Sequence, residues 1–173
     1  MTRCFTCVAQ QQNNTTPVQT GEQWLTGTGP RSQTFHDGDP FTETLRHHDN
    51  VQDVVNGVRD GSLPPNGDHD YNLGGVKGVG LYLRDYSTLL TGGATGNLAV
   101  TYLGSYSLHY TTSDGVITMT VKNTSSLGSA THLPVFGYTG AGQNFSRFMN
   151  GLTRSGPMSP TTQTFIFHER VIP

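Results

Sequence analysis

Lysine, cysteine, tryptophan and long apolar runs are scarce in this chain, and each scarcity closes off a class of function. Lys77 and Lys122 are its lysines, and charged residues of both signs make up 13% of 173 residues, with a formal net charge of −2. A protein that grips phosphates by counterion release needs a basic stripe, and none is visible. That argues against nucleic-acid binding as a main function, although an enzyme that cuts nucleic acid can manage with a few arginines. No apolar stretch approaches the ~20 residues of a membrane-crossing helix. Met1 to Gln12 lack a long apolar core, so no cleavable signal peptide is expected, and export would need a larger carrier or another route. Trp24 stands alone as tryptophan, which is little for stacking on sugars.

The two cysteines, Cys4 and Cys7, form a CxxC near the start. A redox motif wants a strand before it and a helix after it. Here Val8 leads into Ala-Gln-Gln-Gln-Asn-Asn-Thr-Thr, poor chemistry for a helix start. A structural zinc site needs two further ligands, and there is no second CxxC. The pair reads as incidental or terminal.

What fills the composition instead is Gly, Thr, Ser and Asn, with hydrophobic residues at 33%. Disorder combines low hydrophobicity with high net charge, and the net charge here is small, so the chain reads as folded and rich in turns. Its length suits one domain. Residues 1–21 are polar and read as an arm or lead-in segment; residues 22–173 read as a single domain that Trp24 helps to anchor.

Helix signals belong to the first half. Asp39 can cap and Pro40 fits a first helical position, so Phe41 to His48 should form two turns. From Asp49 or Asn50, Val51, Val54, Val55 and Val58 recur on one helical face until Gly61, and Pro64-Pro65-Asn66-Gly67 reads as a turn. Leu81 to Leu90 fits a short helix or a strand. Sheet signals belong to the second half. Tyr106, Leu108 and Tyr110 alternate with polar residues, as do Ile117, Met119 and Val121, and Ser113-Asp114-Gly115 between them predicts an antiparallel hairpin. Leu133 to Tyr138 is a short apolar run, and Ala141 to Leu152 a loop or short helix. A last strand, Thr162 to Val171, should turn Phe165 and Phe167 to one face and His168 and Arg170 to the other. The expected fold is α+β, with short helices from the first half packed on an antiparallel β-sheet from the second half.

The chemistry is unevenly spread. His36, His47, His48 and His69 share the segment 36–70 with Asp37, Asp39, Asp49, Asp53, Asp60, Asp68 and Asp70. Imidazole and carboxylate relay protons near neutral pH and ligate divalent metals. Asp39 is explained as an N-cap, leaving His36 and Asp37 as candidates in that loop. His47 and His48 fall at a helix end, where their directions diverge by about 100°. Asp68, His69 and Asp70 follow a turn that can aim both carboxylates at one point, which makes these three a candidate divalent-metal site, though without EF-hand spacing. On the last strand, His168 and Arg170 share a face and suit an acid–base group beside an anion clamp. The candidate catalytic set is therefore His36, Asp37, His47, His48, Asp68, His69, Asp70, His168 and Arg170. His109 and His132 read as structural or surface residues. No Gly-x-Ser-x-Gly, P-loop or complete GxGxxG occurs, and the stretch Gly74 to Gly80 with Lys77 reads as a tight loop.

Leu103-Gly-Ser-Tyr-Ser-Leu-His-Tyr110, the run Val121 to Tyr138 and Ser155 to Thr164 resemble C-terminal domains of secreted actinobacterial proteins, including modules that end large polymorphic toxins. The resemblance spans roughly residues 72–171. It implies a secreted or extracellular location, export as a passenger of a larger carrier protein, an antibacterial role, and an immunity protein as partner. The leading expectation is thus an effector domain with a hydrolytic His/Asp site. The alternatives are a cell-surface or glycan-binding β-rich module, with Tyr102 and His109 on an outer strand face, and a structural subunit of a secreted particle.

Overall fold

The computed structural model describes residues 12–72, 98–125 and 159–171. The pair Cys4 and Cys7, His132, and the segments Gly74 to Gly80, Leu81 to Leu90, Leu133 to Tyr138 and Ala141 to Leu152 lie outside them.

Helix α1 (Pro17–Thr26) starts inside the stretch read as an arm. Thr16 accepts from the Gln19 backbone N–H while the Gln19 side chain reaches back to the Thr16 N–H, and Pro17 takes the first helical position. That reciprocal cap, which spares two orphan donors, outweighs the polar composition. Strand β1 (Ser32–His36) leads to α2 (Pro40–Arg46) and α3 (Asp49–Asp60), the latter ending at Gly61. A three-residue strand β2 (Asn66–Asp68) comes next, where a turn was expected to run through Gly67. Gly67 belongs in the strand because it passes over Tyr110, whose hydroxyl would lie 2.9 Å from an added Cβ. Then follow α4 (Leu98–Leu103), β3 (Ser107–Ser113), β4 (Val116–Ser125) and β5 (Thr161–Arg170). Tyr102 therefore sits on a helix, not on a strand face.

The strands form one sheet in the order β1-β5-β4-β3-β2. β1 runs parallel to β5 and every other pairing is antiparallel. The β3–β4 hairpin closes through Asp114-Gly115, both at positive φ (52° and 74°), the two-residue turn whose twist matches the strands it joins. The fold is α+β, as the order of helical and alternating patterns predicts.

The sheet's buried face carries Phe35, Leu108, Tyr110, Ile117, Met119, Val121, Phe165 and Phe167, and α2, α3 and α4 cover it with residues such as Phe41, Leu45, Val51, Val54 and Leu103. Phe35 stacks on Phe165 at 4.8 Å between ring centroids, and Phe41 meets both edge-on, which locks α2 over the parallel pair β1/β5. Trp24 donates from its indole N–H to the Ser159 carbonyl at 3.1 Å, tying α1 to the entry of β5.

Candidate functional site

The carboxyl ends of the parallel strands β1 and β5 lie side by side, with α2 beginning just beyond β1. Crevices at the carboxyl ends of parallel strands are where side chains from two strands and a helix can meet. Asp37 follows β1, His168 is near the end of β5, and 131 positions of sequence separate them. Asp37 Oδ2 is 2.6 Å from His168 Nδ1, and Asp37 Oδ1 accepts the His168 backbone N–H at 3.0 Å. The carboxylate thus fixes both the ring and the backbone of one residue. With Nδ1 engaged, Nε2 is the ring nitrogen left for a substrate; among the described residues it has no hydrogen-bond partner. The His168 and Asp37 side chains are 50% and 45% exposed, so the pair is reachable from solvent.

Arg46, in the last turn of α2, organises the pair from beneath. Its guanidinium donates to Asp37 Oδ1 at 2.7 Å, to the His168 carbonyl at 2.8 Å, and to the Glu169 carboxylate. Its Nε lies 3.2 Å from Glu43, and its plane packs 5.3 Å from the centre of the Phe167 ring. Only 17% of the Arg46 side chain is exposed. Burial works against its charge, but the hydrogen bonds it donates to Glu169 and Asp37 prevail and raise its pKa above the ordinary arginine value. Burial also pushes the Asp37 carboxyl upward, and the hydrogen bonds from His168 and Arg46 outweigh that and hold it below the usual aspartate value. Asp37 is therefore an anion across the neutral range, the state needed to orient an imidazole and to stabilise it once protonated.

Asp39 occupies the N-cap position of α2, but its side chain makes no cap bond. Its buried carboxylate accepts instead from the backbone N–H groups of His36 (2.7 Å) and Asn13 (3.0 Å), closing the loop that presents Asp37. Gly38 N–H donates to Glu43 in the same loop. His36 is half-buried at the end of β1, in register with Ile166.

The remaining candidates separate. His47 is exposed at the end of α2, whereas His48 is buried, with Nδ1 2.6 Å from the Tyr106 hydroxyl and its ring edge-on to Tyr71 at 4.6 Å. The adjacent histidines face opposite environments, and His48 reads as a core polar residue. Asp68, His69 and Asp70 are not grouped as a metal-binding set; among the described residues no three His, Cys, Asp or Glu side chains are so grouped. Asp70 accepts the Leu108 backbone N–H (3.0 Å), the His69 backbone is held by Leu108 and Asn50, and Asp68 pairs with His109 at 2.8 Å. The segment runs on along β3, and the Asp68 and Asp70 carboxylates are taken up by different partners on that strand. Arg170 is exposed at the end of β5, and its carbonyl accepts from Arg59.

Reading the sequence missed Arg46, Glu43 and Glu169 as partners of Asp37 and His168, and missed His109 as the partner of Asp68. For Glu169 a signal existed, since strand alternation sends it to the helix-covered side, where Arg46 ends α2. Comparison with protein families, with curated proteins and with solved structures gives no match.

Proposed function

We propose that this chain is a hydrolytic effector domain in which His168 is the general acid–base group, Asp37 positions it and Arg46 holds Asp37. One observation carries the reading: the 2.6 Å contact between Asp37 Oδ2 and His168 Nδ1, braced on the other carboxylate oxygen by Arg46 and the His168 N–H. A carboxylate on Nδ1 sets the tautomer and leaves Nε2 to take or give a proton, an effect worth roughly 10²–10⁴-fold in rate. The exported, antibacterial setting rests on the texture of residues 72–171, and it brings with it a carrier protein and a cognate immunity protein.

Bacterial growth after induction, in the cytosol and after export to the periplasm, tests this reading. The expected result is killing in one compartment and its loss on His168→Ala. Growth unaffected in both, with soluble protein confirmed, would contradict it.

A binding module is the second reading, favoured by the face of the sheet opposite the helices. There Thr34, Thr164, Lys122 and Ser107 lie in one row across β1, β5, β4 and β3. That reading expects association that survives His168→Ala and no turnover at all.

A further inference from the structure

The face of the sheet opposite the described helices carries a second Asp–His pair, related to the first about the central strand. His109 on β3 lies with Nδ1 2.8 Å from Asp68 on β2, its direct cross-strand neighbour. Its flanking residues Leu108 and Tyr110 are buried, so His109 projects from the face that also bears His168. The sheet order sets the geometry. From one edge to the other come Asp68 on β2, His109 on β3, Thr118 and Thr120 on β4, His168 on β5 and Asp37 just past β1. His168 is level with Thr118, and His109 with Thr120. Two strand spacings of about 4.8 Å and one two-residue step of about 6.7 Å therefore separate the two histidines. Each carboxylate lies on the outer side of its ring, toward a sheet edge, and ties up Nδ1. Among the described residues neither Nε2 has a hydrogen-bond partner. The pair on β2/β3 is open to solvent, with His109 57% and Asp68 76% exposed. Cations stand on both sides of this track: Lys122 is two residues beyond Thr120 on β4, and Arg170 two beyond His168 on β5, both exposed.

We infer that the two imidazoles act as a complementary acid–base couple on an RNA phosphodiester laid across β4, an inference that rests on the reading of His168 as an acid–base group. Two imidazoles on opposite sides of one track, flanked by isolated cations, suit a linkage that must lose a proton at one oxygen and gain one at another. A neutral Nε2 takes the proton of the ribose 2′-hydroxyl, and that oxygen forms a bond to phosphorus. The bond from phosphorus to the 5′-oxygen breaks as the imidazolium across β4 gives that oxygen its proton. The products are a 2′,3′-cyclic phosphate and a 5′-hydroxyl, and exchange with water resets both rings. Asp37 and Asp68 are positioning residues, while Lys122 and Arg170 hold flanking phosphates. Such an enzyme needs no extended basic stripe, in keeping with the scarcity of lysine.

The test uses the purified full chain, a mixed-sequence RNA oligonucleotide and its all-deoxy counterpart, with EDTA present. RNA cut to cyclic-phosphate ends, intact DNA, and a drop of roughly 10²–10⁴-fold for His168→Ala and His109→Ala separately, at unchanged melting temperature, is the expected result. Asp68→Asn, which keeps the shape of the β2 edge, should slow cleavage in the same direction. Full activity in His109→Ala, equal cleavage of DNA, or silence in EDTA restored by a divalent cation would each overturn the two-imidazole scheme. Failure to cut RNA by a protein that still kills cells through His168 would overturn the substrate class while leaving the acid–base reading of His168 standing. Killing unaffected by His168→Ala would remove that reading itself.

Discussion

At the scale of single residues, Asp37 joins Arg46 to both the ring and the backbone of His168 and is also nearly half exposed. Its depressed pKa gives stability a definite pH dependence. Because the folded value lies below the unfolded one, the ionised carboxylate stabilises the fold above the ordinary aspartate range. That contribution fades as pH falls through the folded value. In urea titrations, the gap between wild type and Asp37→Asn should be fully present near neutrality and close at pH values below about 3.9. A gap that persists unchanged into acid would mean that the carboxylate charge is not what holds the loop. Asp37→Asn should also redistribute the His168 ring between its two tautomers. Imidazole nitrogen chemical shifts would read that change, and unchanged shifts would mean that Asp37 does not set the tautomer of His168.

At the scale of elements, β2 and the β3–β4 hairpin position the second Asp–His pair. Gly67→Val would push a side chain against the Tyr110 ring, and overpacking of that kind costs about 1–3 kcal/mol. The expected outcome is a lower denaturant midpoint together with loss of the Asp68–His109 contact, seen as altered His109 resonances. Gly115→Val should destabilise as well, by at least about 1 kcal/mol, since φ of 74° disfavours a branched residue. A midpoint unchanged in both variants would count against the β2–β3–β4 register. Elements of this kind were the most legible in the sequence. Alternation around Ser113-Asp114-Gly115 gave the hairpin, and the Val51/Val54/Val55 spacing gave α3, because local period and turn chemistry act within a few residues. Helix α1 was hidden because its cap is a two-residue exchange, Thr16 with Gln19, inside a stretch whose composition reads as polar coil. Asp39 looked like a cap for the same local reason; its real partners, Asn13 and His36, depend on how the chain folds back.

At the scale of the whole molecule, the candidate site depends on a parallel pairing that no local pattern announces. β1 and β5 are joined across most of the chain, and only that pairing brings Asp37 to His168. The sequence therefore showed both residue types without showing that they meet, and it grouped Asp68 with His69 when the sheet pairs Asp68 with His109. The aromatic cluster of Phe35, Phe41 and Phe165 binds this pairing to α2. Phe165→Ala should cost about 3–5 kcal/mol, which approaches the total stability of many domains. Thermal unfolding would measure it, and a loss under about 1 kcal/mol would contradict a core centred on β1/β5.

The central claim is that the Asp37–His168 pair is reactive and not a surface latch. Killing and melting temperature measured side by side for wild type and His168→Ala test it most directly. Killing lost, with stability kept within about 1 kcal/mol as for an exposed side chain, is the predicted result. Killing retained by a stably folded His168→Ala protein would contradict the claim.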